Sequence, residues 1–215
     1  TQQVPGFNLV VDTNFPVCYG EKGLMRADIE REMDGNLVSF HGGSVVNVIP
    51  PKAEAVISGV SLEAAREKLG DIEGISVDRD GESVKVTALG ISRHAAFPEG
   101  SVNAIQELSK ALAGSGLLTG SAAHGVKAVA AMTSDYYGES CGIPFEDKES
   151  GRLTCVGSVI HAQDGVMKVS FDTRYPVTVD GDEVVDGFKK RAESLGFAVS
   201  VGELSAPAYV PLDNP

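Results

Sequence analysis

His94 stands in GISRHAAFPEGSVNAI (residues 90–105), where a strand pattern ends, the chain turns at Pro98 and a helical pattern begins. Loops at strand ends project side chains from a rigid scaffold, and a helix N-terminus nearby favours anions, so this is a place for a ligand-facing imidazole. Taken alone, an isolated histidine at a strand end is more often structural or merely exposed. Arg174 closes a strand pattern in which Val169 and Phe171 share one face, and Ser170, Asp172 and Arg174 the other. A guanidinium grips a carboxylate through two parallel hydrogen bonds, which suits a peptide C-terminus, but a surface ion pair with Asp172 fits the position equally well. Asn47, within SVVNVIPP, is a polar residue among β-branched ones; it reads as a turn or edge-strand residue whose amide is also able to donate to a substrate carbonyl. His41, His124 and His161 lie in glycine-rich or polar surroundings and are expected to be exposed.

Several chemistries lack their residues. A hydrolytic zinc site needs three or more His, Asp or Glu ligands and a carboxylate to activate water, and no HxxxH, HxxEH, His-x-Asp or Glu-Glu pair on an apolar framework occurs. The one GxSxG string, at residues 138–142, falls in a stretch rich in Gly and charge rather than at a strand-to-helix turn and so does not read as a nucleophile elbow, and no phosphate-binding GxxxxGK[ST] or GxGxxG is found. Cys18, Cys141 and Cys155 are scattered without CxxC spacing, which argues for three reduced thiols and against a disulfide framework or a structural zinc site.

The 215 residues include 25 Gly and 10 Pro at short intervals, the punctuation of many strands and turns. A net charge of -12, from 18 Lys plus Arg against 30 Asp plus Glu, excludes a broad basic face for nucleic acid or anionic membrane. A small-molecule or peptide partner is expected. There is no apolar run long enough to span a bilayer and no signal peptide, so the expected compartment is the cytoplasm. The ends, Thr1 and Pro215, suggest a segment cut from a longer polypeptide.

Alternation places strands at 25–29 and 37–40, expected to pair, then at 45–49 and 53–58, with a helix over 62–70 behind the cap Ser61. A hairpin follows, 75–77 with 84–89 across Asp80-Gly81. Helical spacing covers 99–113, a linker-like GSGLLTGSAAHG comes next, and a further helix is expected over 128–137. The remainder reads as a strand over 153–162, its hairpin partner over 166–175, a helix over 182–195 and a strand over 198–204. The class is α+β: two lobes of antiparallel sheet packed with helices. The first spans 1–82, including a hinge over 1–24; the second spans 83–215, in ferredoxin-like order with an insertion over 115–150.

Four stretches, PGFNLVVDTNFPVCYGEKG, GGSVVNVIPPKAEAVI, GISRHAAFPEGSVNAI and VSFDTRYPV, resemble the aminoacylase and carboxypeptidase G superfamily of zinc peptidases, in its dipeptidase V or Xaa-His dipeptidase branch. Ala96 and Phe97 depart from the serine-containing stretch usual in that motif, and Asn14 replaces an acidic residue. The resemblance implies a substrate-capping lid inserted in a catalytic domain that this chain lacks, acting on a dipeptide, in a monomeric parent whose two lobes imitate paired dimerisation domains. It implies that His94 polarises the scissile carbonyl and stabilises the oxyanion, that Asn47 helps hold the substrate, and that Arg174 binds its terminal carboxylate. Asp12 matches one zinc ligand of the family, but the other ligands are absent, so zinc is expected only in the intact parent, no cofactor in this chain, and no activity from the fragment alone. The rival readings are a stand-alone ligand-binding or dimerisation module of ferredoxin-like lobes, and the lid of a related zinc deacylase of the desuccinylase type.

Overall fold

A computed structural model describes residues 19–211. Asp12 and most of the hinge stretch lie outside the described residues. In chain order the elements are β1 (Gly20–Glu21), β2 (Gly23–Glu32), β3 (Leu37–Gly42), β4 (Lys52–Ile57), α1 (Leu62–Leu69), β5 (Ile75–Asp80), β6 (Ser83–Leu89), α2 (Ala104–Ser115), α3 (Gly120–Met132), β7 (Glu146–Asp147), β8 (Gly151–Arg152), β9 (Thr154–Gln163), β10 (Val166–Tyr175), α4 (Gly181–Ser194), β11 (Ala198–Ser205) and β12 (Ala208–Tyr209). The α+β class holds, and the main sheet is antiparallel throughout.

That sheet has eight strands in the order β11-β2-β10-β9-β3-β4-β6-β5. Period-two alternation gives each strand an apolar side: Met25, Ala27 and Ile29 on β2, Val169 and Phe171 on β10, Ala53, Ala55 and Ile57 on β4, and Val84, Val86 and Ala88 on β6 are all buried. They merge with residues of the four helices, such as Leu69, Leu108, Val129 and Phe188, into one core. The helices thus cover one face, and the polar residues of alternate positions stand on the other.

The halves repeat each other. In one, β3-β4-α1-β5 takes up β6 between β4 and β5; in the other, β9-β10-α4-β11 takes up β2 between β10 and β11. They join where β3 pairs with β9, with His41 opposite His161. The second half therefore borrows a strand remote in sequence, β2, whereas β6 follows β5 directly, and the boundary at residue 82 falls in the β5–β6 hairpin turn rather than between the halves. The expected pairing of β2 with β3 is corrected for the same reason: the β9–β10 hairpin, closed by a tight turn with Asp164 at φ 52°, lies between them.

Two other segments differ from expectation. The second half of the linker-like stretch, residues 120–125, is the first half of α3, which ends at Met132 instead of extending to 137. Its start is fixed from far away: Asp34, in the β2–β3 turn, accepts from Ser121 N–H at 2.6 Å, and Ser121 Oγ accepts from Asp34 N–H at 2.8 Å. Those bonds hold the Asp34 carboxyl below the usual carboxylate range. The expected strand over 45–49 is a turn, with Val48 N–H donating to Val45 O.

Candidate active-site face

Two connections cross the polar face of the sheet: residues 43–51, between β3 and β4, and residues 90–103, between β6 and α2. The first can enter its turn only through glycine. Gly43 has φ +71°, and a Cβ there would lie 1.9 Å from Ser158 O. The second begins at Gly90, where a Cβ would lie 2.1 Å from Val102 O. Gly90→Ala is therefore expected to force apart the Ile91–Val102 bridge and cost about 2 kcal/mol, a drop in Tm of roughly 4–8 °C in a thermal melt; an unchanged Tm would show that this close approach is not rigid.

Four backbone bonds lace the connections together: Gly90 N–H to Pro51 O (2.8 Å), Ile49 N–H to Arg93 O (2.8 Å), Ala95 N–H to Asn47 O (2.9 Å) and Ala104 N–H to Pro50 O (3.1 Å). Asn103 anchors the far end. Its Oδ1 caps α2 by accepting from Ile105 N–H at 2.9 Å, its Nδ2 donates to Gly157 O on β9 at 2.8 Å, and its own N–H donates to Tyr136 Oη at 3.0 Å. Beneath the lacing, Ile49, Ala95 and Val156 form a small second core with Tyr136 packed against it.

This arrangement brings Asn47 and His94 together. Asn47 Nδ2 lies 3.5 Å from His94 Nε2, too long for a strong mutual bond. His94 Nδ1 accepts from Ala96 N–H at 3.1 Å. The neutral ring consequently carries its proton on Nε2, since a nitrogen that accepts a hydrogen bond cannot also bear the hydrogen. Nε2–H and the Asn47 amide are then two donors side by side, suited to one shared acceptor such as a carbonyl oxygen or an oxyanion. His94 is exposed and Asn47 half-buried, so an acceptor can reach both from solvent.

Arg174 lies on the same face. Val156, under the His94 connection, is the cross-strand partner of Asp172, and Arg174 follows two residues along β10. Asp172 is fully buried and accepts from Arg174 Nε at 2.8 Å and Nη2 at 3.2 Å. The expected alternative of a surface ion pair is therefore half right: the pair exists, but its carboxylate is inside. Arg26 on β2 approaches the same carboxylate at 3.5 Å and binds Glu203 at 2.8 Å. A guanidinium has five N–H groups, so the clamp leaves Arg174 donors for a second acceptor. A hollow of about 410 Å³ nearby is lined by Val46, the neighbour of Asn47 in sequence, and by Arg26, Asp28, Ser170 and Glu203, but not by Asn47, His94 or Arg174 themselves.

Asp172, Asn103 and Tyr136 were missing from the sequence-derived site. Asp172 is spaced to share a face with Arg174, but its burial depends on neighbouring strands; Asn103 sits inside the His94 motif, where a cap signal was readable. His41 and His161 meet on this face with ring centroids 4.5 Å apart and ring planes tilted by 53°. Cys141 and Cys155 are buried free thiols, and hydrogen bonding with Cys155, then burial, pushes the Cys141 thiol well above its usual range, away from nucleophilic use. Among the described residues no group of three or more His, Cys, Asp or Glu is placed to hold a metal ion, and no helix is long and apolar enough to cross a membrane.

No protein-family model matches the chain. Among curated proteins it is similar to the Putative dipeptidase of Staphylococcus saprophyticus, 28% identical over 100% of this chain and 49% of that protein. It is also similar to Putative dipeptidase YtjP of Bacillus subtilis, 28% identical over 100% of this chain and 48% of the relative, and to a Putative dipeptidase of Staphylococcus aureus, 26% identical over 100% and 49%. The chain thus spans about half the length of the curated relatives it matches. Among solved structures, an aminoacylhistidine dipeptidase from Vibrio alginolyticus aligns with 92% of this chain and 47% of its own, at a TM-score of 0.41 and 10% identity.

Proposed function

We propose that this chain is the substrate-capping lid of a zinc-dependent dipeptidase, with the metal site in the other half of a longer, monomeric polypeptide. The observation that carries the reading is the pair of donors, His94 Nε2 and Asn47 Nδ2, held 3.5 Å apart on the face that also bears Arg174. The match to half the length of proteins named as dipeptidases supports it. So does the internal repeat, because two equivalent halves in one chain give a single lid both of its lobes. Free cysteines suit a cytoplasmic enzyme.

In this reading the scissile carbonyl oxygen sits between His94 and Asn47, and both N–H groups strengthen their hold as negative charge develops on it. Arg174 takes the C-terminal carboxylate, while Asp172 fixes the guanidinium in place. In this reading the other half holds most of the metal's ligands and the water it activates, Asp12 adds one ligand in the intact parent, and closure of the lid brings the two halves of the site together.

The test uses the complete polypeptide. Free dipeptides are expected to be hydrolysed, and chelation of the metal should abolish turnover. Arg174→Ala should raise KM for dipeptides with a free C-terminal carboxylate by about 10- to 100-fold, the worth of a charge-assisted pair, but not for the matching dipeptide amides. An equal effect on acids and amides would remove Arg174 from carboxylate binding. Turnover of N-succinyl amino acids in preference to dipeptides would move the reading to a deacylase lid.

A further inference from the structure

Phe97 is 69% exposed, the most exposed of the large apolar side chains among the described residues. Its ring centroid lies 5.9 Å from that of His94, tilted by 45°. It does not swing on a free loop: its N–H donates to His94 O at 2.9 Å, closing a turn over residues 94–97, and the Pro98 that follows is buried and accepts from Ser101 N–H at 3.0 Å. Local bonds therefore hold a large apolar ring in solvent beside the oxyanion donor, although nothing in the fold uses it. Ala95 packs onto Val156, the cross-strand partner of Asp172, whereas Phe97, two residues on, stands in solvent.

We infer that Phe97 is the wall of a pocket for the N-terminal side chain of the substrate, and that it selects dipeptides beginning with a bulky apolar residue. This rests on the lid reading. With the carbonyl oxygen between His94 and Asn47 and the C-terminal carboxylate directed to Arg174, the C-terminal residue runs toward the sheet. The residue bearing the scissile carbonyl is left on the outer side, next to the ring. An apolar side chain there covers the aromatic surface, and glycine leaves it wet.

The experiment compares kcat/KM of the complete polypeptide, wild type, Phe97→Ala and Phe97→Leu, for Leu-Gly, Gly-Leu and Gly-Gly. Wild type should prefer Leu-Gly. In Phe97→Ala the ratio of kcat/KM for Leu-Gly over Gly-Gly should fall about tenfold, the usual worth of a few methylenes in an apolar pocket, while Phe97→Leu keeps most of it. A fall that is equal for all three dipeptides overturns the inference, because the ring then braces the lid against the other half instead of touching substrate. So does a fall confined to Gly-Leu, or no change. A wild-type protein that hydrolyses no dipeptide overturns the lid reading and the inference together, which separates the two failures.

Discussion

Replacing His94 by Ala in the complete polypeptide should lower kcat by about 10²–10³-fold with little change in KM, the loss seen when an oxyanion donor is removed. Nδ1 is occupied by Ala96 N–H, which fixes the ring orientation and leaves Nε2–H as the working donor. Asn47→Ala should cost less, about tenfold, because an amide on a half-buried turn is the weaker donor. The double variant should lose less than the product of the single losses, since both donors serve one oxygen and neither acts independently once the other is gone. His94 is exposed, so the melting curve of the Ala variant should overlay the wild type. A kcat within about threefold of wild type, with the melt unchanged, would remove His94 from the chemistry.

Asp172→Ala should destabilise the fold by about 3 kcal/mol, lowering Tm by roughly 6–12 °C. The carboxylate has no exposed surface and receives two bonds from Arg174, at 2.8 and 3.2 Å. Its removal strands a guanidinium whose side chain is only 18% exposed. The low end of the range for broken buried pairs is appropriate, because Arg26, the other partner, is 37% exposed and keeps Glu203. Asp172→Asn keeps the shape but loses the charge, and should fall between wild type and Ala. Equal stability of all three proteins in a denaturant titration would mean that the two arginines are solvated well enough to dispense with the carboxylate.

Local pattern sufficed where the physics is local. The spacing in α1, with the cap Ser61 beside it, and the helix pattern over 182–195 gave the positions of α1 and α4 to within a residue or two. Tight turns at Asp80-Gly81 and Asp164-Gly165 gave the hairpins β5–β6 and β9–β10. It failed where a distant residue decides. α3 starts where Asp34 caps it from across the chain, and its small residues, Gly125 against Met167 for instance, read as a linker until something packs on them. The turn at residues 45–48 looked like a strand because Val45, Val46, Val48 and Ile49 are β-branched, with nothing to show that the neighbouring backbone is claimed by residues 93–95.

The sequence by itself determined the α+β class, the hairpins and the chemical types at positions 47, 94 and 174. Tertiary structure decided everything that depends on which strands become neighbours. It carried β2 into the half built from β9, β10 and β11, set Asn47 beside His94 through four backbone bonds, and sealed Asp172 beneath Arg174. The physical reason is the range of the forces. Side-chain alternation and capping act over a few residues and are written in the chain, whereas strand order is fixed by burying one continuous apolar face, a property of the whole sheet that no short window contains.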